Sequence, residues 1–261
     1  MKATKRPILC LLILCNIQAF SQVNPILELK KERELMLTSI GLASFAFGAY
    51  LGSKNENLSL DDIASLDPNK VNRFDRFSTR TYSPTADRIS DLFLLATLAS
   101  PHLLLWKKEC RQNFLPIFIT GSETALFSLG IAAMTKNGFQ RIRPFVYNDE
   151  APMKEKLKRN ARQSFLSGHS LIAASASVFT AQVLLPYITS KSLKKWTLVA
   201  AVVLPVAVGS LRVLAGRHYI SDVFPSLLIG AAIGYYIPKM HQKSRVQTQV
   251  GFNTLGLRIK L

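Results

Sequence analysis

Apolar residues in this chain collect into long runs instead of alternating singly with polar ones. Six runs approach the ~20 residues that a helix needs to span a bilayer. They are Leu35–Leu51, Leu92–Trp106, Leu115–Met134, Ser170–Tyr187, Trp196–Leu214 and Val223–Ile237. The first two are the weakest, and Asp87, Arg88 and Asp91 ahead of the second predict a helix that begins among lipid headgroups. The run from Ser170 is rich in Ala and Ser, a composition that lets helices approach closely in lipid. A soluble helical bundle would need a polar face on each helix, and from Trp196 to Val208 there is none beyond Thr197. The expected fold class is therefore all-α, an integral membrane bundle of about six helices. After Arg245 the period changes: Val246, Thr248, Val250 and Phe252, then Leu255, Leu257, Ile259 and Leu261, alternate as in a strand, with a break at Asn253-Thr254. A short hairpin or an extended tail fits that pattern.

Charge sharpens the membrane reading. The 261 residues carry a formal net charge of +17. The basic residues lie between apolar runs, so an anionic membrane surface or lipid headgroup is the expected partner and nucleic acid is not. Three connections are short and basic: Lys107-Lys108-Glu109-Cys110-Arg111, Ser190–Lys195 and Lys239–Arg245. The positive-inside rule places them in the cytoplasm. The linker Gly52–Thr85 and the loop Phe145–Phe165 then lie on the other side. That loop carries Lys154, Lys156, Lys158, Arg159 and Arg162, read as headgroup or phosphate binders rather than as topology signals.

Residues 1–21 have the form of a secretory signal, either cleaved or kept as an anchor. Lys2, Lys5 and Arg6 precede the apolar stretch Pro7–Ile17, and Ala19-Phe20-Ser21 offers small residues for cleavage. Cleavage would remove Cys10 and Cys15 and leave Cys110 alone, so no internal disulfide is expected. It would also leave the new N-terminus outside, and three crossings before Lys136 would then carry the chain to the cytoplasm. Either the first run does not cross fully or the N-terminal segment is not exported.

Three stretches at helix ends carry candidate chemistry. Lys136 and Arg143, seven residues apart, are expected about two turns apart on one helix that Pro144 stops, so that both face one anion. Either cation alone reads as a snorkelling boundary residue, and Arg141 reads as a bystander. Ser167-Gly168-His169 opens the Ser170 helix, where free N–H groups and the dipole favour an anion and glycine admits close approach. His169 is placed to protonate a leaving oxygen. Arg212 ends the Trp196 helix, and His218 and Asp222, four apart, open the last one. A carboxylate on one imidazole nitrogen leaves the other free to attack phosphorus. With His102 and His241 on the other side, no catalytic zinc set is expected.

Taken together, these stretches resemble the type 2 phosphatidic acid phosphatase superfamily, which also includes class A acid phosphatases and vanadium haloperoxidases. The family pattern is K-x6-R-P, P-S-G-H and S-R-x5-H-x3-D. Here KNGFQRIRP from Lys136 to Pro144 matches in full. LSGH has Leu166 for the proline, and SLRVLAGRHYISD from Ser210 to Asp222 has Leu211 for the serine. The resemblance covers about Leu115 to Ile237. It implies a nucleophilic His218 oriented by Asp222, His169 as general acid, and a phosphate held by Lys136, Arg143, Ser167, Gly168 and Arg212.

It further implies a metal-independent phosphatase without cofactor, working through a phosphohistidine on a lipid phosphate or pyrophosphate. Undecaprenyl pyrophosphate, lipid A, phosphatidic acid and phosphatidylglycerol phosphate are the expected substrates, the first two favoured because an exported site would meet them. The alternatives are a vanadate-dependent haloperoxidase and a non-catalytic lipid-binding membrane protein. The expected organisation is a signal or anchor (1–21), an N-terminal helix and linker (22–91), a membrane phosphatase domain (92–238) and a basic segment with an extended tail (239–261). The expected location is a bacterial-type inner membrane, with the site on the periplasmic side.

Overall fold

The computed structural model describes residues 27–242, 246–251 and 254–259. The expected signal segment, with Cys10 and Cys15, lies outside the described residues. We number the long helices α1 (Lys31–Ser53), α2 (Pro84–Ala99, continued as 3-10 turns to Trp106), α3 (Phe114–Phe139), α4 (Gly168–Leu184), α5 (Lys191–Leu214) and α6 (Ile220–His241). All six are long and apolar enough to cross a membrane, as the apolar runs predict. At the C-terminus β1 (Val246–Gly251) and β2 (Thr254–Ile259) pair antiparallel, Val246 opposite Ile259.

The bundle is apolar outside and small and hydroxylated inside. Leu198, Val202, Val203 and Val206 of α5 and Phe118 of α3 are exposed, whereas Thr120, Thr124 and Ser128 of α3 and Ser170, Ser175 and Thr180 of α4 are buried. This inverts the arrangement of a water-soluble bundle and suits lipid, where interiors gain from close packing and hydrogen bonds between helices. Ser128 Oγ donates to Ser175 Oγ at 2.8 Å, and Ser100 and Thr180 hydroxyls meet at 2.9 Å. Glycine brings α6 against α4: a Cβ at Gly230 would lie 3.0 Å from Ala174 Cβ, and one at Gly234 3.0 Å from Phe179 N. Larger side chains there would force the helices apart.

The helices alternate in direction, and α1 begins where α6 ends. Glu28 N–H donates to His241 O at 2.7 Å, and the Arg33 guanidinium donates to Met240 O at 2.6 Å. All six can then cross, with the basic connections after α2 and α4 on the face that holds the start of α1 and the end of α6. α1 has 23 residues, ~35 Å of helix, which is long enough to cross fully.

Two boundaries differ from the sequence expectation. The second helix starts at Pro84 with Ser83 as its cap, Ser83 Oγ accepting from Ala86 N at 3.2 Å. Asp87 and Asp91 therefore lie on the helix itself. α3 ends at Phe139, with Gln140 left-handed at φ 46°, so Arg143 stands beyond the helix and not two turns along it from Lys136. Over this end of the bundle, Leu58 of the linker packs with Phe145, Val146, Ala151 and Ala161 of the long loop in a small apolar core of their own.

Candidate active site

The three stretches meet because short backbone contacts tie them together. Arg143, extended, donates its N–H to Ala161 O at 2.8 Å and leads into the 3-10 turn Pro144–Tyr147. Phe145 N–H donates to Gly216 O at 2.8 Å, linking the first stretch to the third. Gly216 has φ 68°, a left-handed conformation that costs glycine nothing, and a Cβ there would lie 3.3 Å from Phe145 Cβ. This turn folds the chain back after α5. Arg217 N and His218 N both donate to Arg212 O, at 3.0 and 3.3 Å.

His218 is fully buried and precedes the first turn of α6. Its Nδ1 lies 2.6 Å from Ser164 O, and a carbonyl can only accept, so Nδ1 carries the proton and Nε2 presents a lone pair. Nε2 is buried without a hydrogen-bond partner among the described residues. Burial, then the charges of Arg143, Arg212 and Lys136, push the imidazole pKa well below its usual 6.5. The result is a neutral imidazole with an available lone pair on Nε2.

The expected direct grip of Asp222 on this imidazole needs correction. Asp222 Oδ2 stands 3.8 Å from Nδ1, beyond a hydrogen bond. It accepts instead from Ser164 Oγ at 2.6 Å and Tyr219 N at 2.9 Å, while its other oxygen pairs with Arg141. The carboxylate thus holds Ser164, whose carbonyl holds His218. The i,i+4 spacing places the two residues together only when both are helical, and His218 lies before the helix. Arg141 is no bystander: it also reaches Asp75 Oδ2 at 2.8 Å and Ser221 Oγ at 2.8 Å and lies over the Tyr219 ring. Burial raises the Asp75 carboxyl, but hydrogen bonds from Ser221, Asn72 and Arg141 outweigh it and leave its pKa lowered.

Ser167 caps α4. Its Oγ accepts from Ser170 N at 3.4 Å and meets Ser170 Oγ at 2.8 Å, and its N–H donates to Ser226 Oγ at 2.9 Å, so it shapes the turn. The first helical bond of α4 is Leu171 N to Ser167 O at 3.0 Å, which leaves the Gly168 and His169 N–H groups ahead of it free. A Cβ on Gly168 would stand 2.9 Å from Lys136 Nζ, so glycine is what lets the lysine reach this helix start.

Acidic residues of α2 complete the cradle. Asp87 Oδ1 takes Arg212 Nη1 at 2.5 Å, and its Oδ2 takes Arg217 at 2.7 and 3.0 Å. Ser90 Oγ accepts from Arg212 Nη1 at 3.1 Å. Arg217 also meets Glu155 at 3.0 Å. Burial opposes the Arg217 charge, yet Asp87 and Glu155 hold its pKa above the usual guanidinium value. His169 Nε2 lies 2.8 Å from Asp91 Oδ1. The Nε atoms of Arg143 and Arg212 are buried without a partner among the described residues. A polar cavity of about 350 Å³ opens between Asp87, Asp91, Arg143, His169, Arg212 and Arg217, with Glu155, Lys158 and Asn160 at its loop side.

Lys136, Arg143, His169, Arg212 and His218 thus converge, and Gly168 makes room for them. Sequence reasoning missed Asp87, Asp91, Arg141, Ser164 and Arg217. One signal was available: ionisable residues within an apolar segment are functional by default, and Asp87 and Asp91 sit four apart at the start of such a segment.

Residues 121–245, just under half of the chain, match the family model of the PAP2 superfamily. A lipid A 4'-phosphatase of Porphyromonas gingivalis is 24% identical over 160 residues, covering 59% of this chain and 62% of that protein. A crystal structure described as the first transmembrane PAP2 type phosphatidylglycerolphosphate phosphatase, from Bacillus subtilis, superposes with a TM-score of 0.42 at 18% identity, over 91% of this chain and 96% of that one.

Proposed function

We propose that this chain, which carries a PAP2-superfamily domain, hydrolyses the phosphate ester or pyrophosphate of a membrane lipid through a phosphohistidine. One observation carries the reading: a fully buried imidazole whose Nδ1 is fixed by a carbonyl, whose Nε2 has no partner among the described residues, and whose proton is disfavoured by the charges of Arg143, Arg212 and Lys136. A phosphoryl group is what such a place attracts, because three cations neutralise its oxygens and a lone pair points at phosphorus.

The Nε2 lone pair of His218 attacks phosphorus, and the P–O bond to the lipid breaks. His169 enters the step as the imidazolium: Asp91 accepts its Nε2–H, and its second proton, on Nδ1, goes to the leaving oxygen and leaves a neutral ring. Water then attacks the phosphohistidine, His169 takes the proton from it, and phosphate leaves with His218 restored. Lys136, Arg143, Arg212 and the N–H groups of Gly168 and His169 carry the oxygens throughout. Asp222, Ser164 and Arg141 position the nucleophile.

Lipid A is the favoured substrate class, ahead of undecaprenyl pyrophosphate, phosphatidic acid and phosphatidylglycerol phosphate. The P. gingivalis relative supports it, and a site outside the cytoplasm, on the side opposite the short basic connections, would meet such a lipid. The test is phosphate release from these four lipids by protein purified in detergent, with His218→Ala as blank. Release that disappears in His218→Ala supports the mechanism, and the preferred lipid identifies the substrate. Undiminished release in that variant refutes it.

A further inference from the structure

At the opposite end of the bundle a second group of ionisable side chains is buried. We propose that Glu34 of α1, Glu123 of α3 and His241 of α6 form a binding site for a divalent first-row metal ion, Zn²⁺ by their donor set, which clips the first helix to the rest of the bundle. Each offers a ligand atom, and the three atoms lie within 4.8 Å of one another.

The imidazole is set as a metal ligand. His241 is fully buried, and its Nδ1 stands 2.8 Å from Ile237 O, so Nδ1–H donates and Nε2 points away from the helix. A backbone carbonyl on the distal nitrogen is the usual way that a ligating histidine is oriented. Nε2 faces two carboxylate oxygens, Glu34 Oε2 at 2.7 Å and Glu123 Oε2 at 3.0 Å. It can carry one hydrogen, which the shorter contact takes. Glu123, 2% exposed, is left with a buried Oε2 that has no hydrogen-bond partner among the described residues.

Glu34 is partly exposed and paired with Arg33, but Glu123 is buried, and its free oxygen beside a second carboxylate is costly without a cation between them. An ion ~2.0–2.2 Å from each of the three atoms would satisfy all of them, and three protein ligands leave a position for water. One imidazole and two carboxylates suit Zn²⁺ better than Ca²⁺ or Mg²⁺, which prefer oxygen alone. The surroundings fix the carboxylates: Glu34 Oε1 accepts from Lys30 N at 2.9 Å and Arg33 Nη2 at 2.7 Å, and Glu123 Oε1 faces Thr38 Oγ1 at 3.4 Å. The three ligands come from chain segments far apart in sequence, so the ion would act as a cross-link and take no part in phosphate chemistry at the other face.

The test uses the full chain purified in detergent and dialysed against metal-free buffer, its metal content measured by mass spectrometry and its Tm followed as ZnCl₂ is added. About one zinc per chain and a Tm that rises with Zn²⁺ and falls back with EDTA are expected. Glu123→Gln should retain less than about a tenth of that zinc and lose the Tm response. His102→Gln, which removes an exposed histidine from the same face, should change neither. If Glu123→Gln does not fold, the wild-type measurement decides alone. Wild-type protein that keeps no zinc after loading and shows no Tm response overturns the proposal and leaves the triad as an imidazolium shared by two carboxylates. An equal Tm response in wild type and Glu123→Gln overturns it too.

Discussion

Replacing Asp87 with asparagine tests whether α2 holds the phosphate cradle in place. The carboxylate bridges two guanidiniums, Arg212 at 2.5 Å and Arg217 at 2.7 and 3.0 Å, with side-chain exposures of 6% and 15% against its own 21%. Asparagine keeps the shape and one acceptor but loses the charge. Removing one partner of a buried ion pair costs ~3–5 kcal/mol, and the partial exposure of Asp87 puts this case near the lower figure. The cost reaches catalysis because Arg212 moves toward other acceptors, Ser90 Oγ at 3.1 Å and Asp91 at 3.6 Å. A donor misplaced by ~1 Å costs on the order of 10²-fold in rate, or ~2.7 kcal/mol at 1.36 kcal/mol per decade. The assay is steady-state phosphate release from a detergent-dispersed lipid phosphate by wild type, Asp87→Asn and Asp87→Glu. Asp87→Asn should lose about 10²-fold in kcat/KM, mostly in kcat, with a melting midpoint lowered by several degrees. Asp87→Asn with kcat/KM within about threefold of wild type and an unchanged midpoint would refute the reasoning: Arg212 would then be held without Asp87.

Three further outcomes follow from the same geometry. His169→Asn should lower kcat by ~10²–10⁴-fold on a lipid phosphate and far less on p-nitrophenyl phosphate, whose leaving group needs no proton; equal losses on both would remove the general-acid role. Because burial and three cations hold His218 well below 6.5, its protonation should not cut kcat/KM until the pH is well under that value. Lys136→Met, which removes one of those cations, should shift the acid limb of the pH profile upward; a limb at 6.5 in wild type, or a downward shift, would contradict this. Vanadate should inhibit competitively with phosphate, and initial rates in EDTA should match those without it, since the cations of the chain neutralise the phosphoryl oxygens. Vanadate-dependent halide oxidation would instead favour the haloperoxidase reading.

The helices are legible because apolar runs of membrane length have few other uses, and each run has its helix, although the second helix starts at Pro84 and not at Leu92. The site stretches were legible through the order of Lys136, Arg143, His169, Arg212, His218 and Asp222. Their grouping could be read, but the contacts inside it could not. The pairing of His218 with Asp222 was inferred from helical spacing, and it failed because His218 lies outside the helix, where a carbonyl from a loop far away in sequence fills that role. Lys136 and Arg143 come together without sharing a helix, for the same reason. Asp87 and Asp91 read as headgroup charges because the apolar run begins only at Leu92, after the helix itself has begun at Pro84. Glu123, an ionisable residue within the apolar run Leu115–Met134, carries a local signal, but nothing in the sequence links it to Glu34 and His241, which come from other helices.

Lys136 and Arg212 sit in the last turns of α3 and α5, and His169 sits in the first turn of α4. The distances between these groups are therefore set by how far each helix slides or tilts against its neighbours. Helix tilt responds to the thickness of the surrounding hydrocarbon. A thinner or thicker host bilayer acts on the cradle like a lever, widening or narrowing it while no residue changes. On the proposed function, the lipid around the protein would then be a determinant of its rate as well as the source of its substrate, and vesicles of graded acyl-chain length would show an optimum where the helix ends stand level.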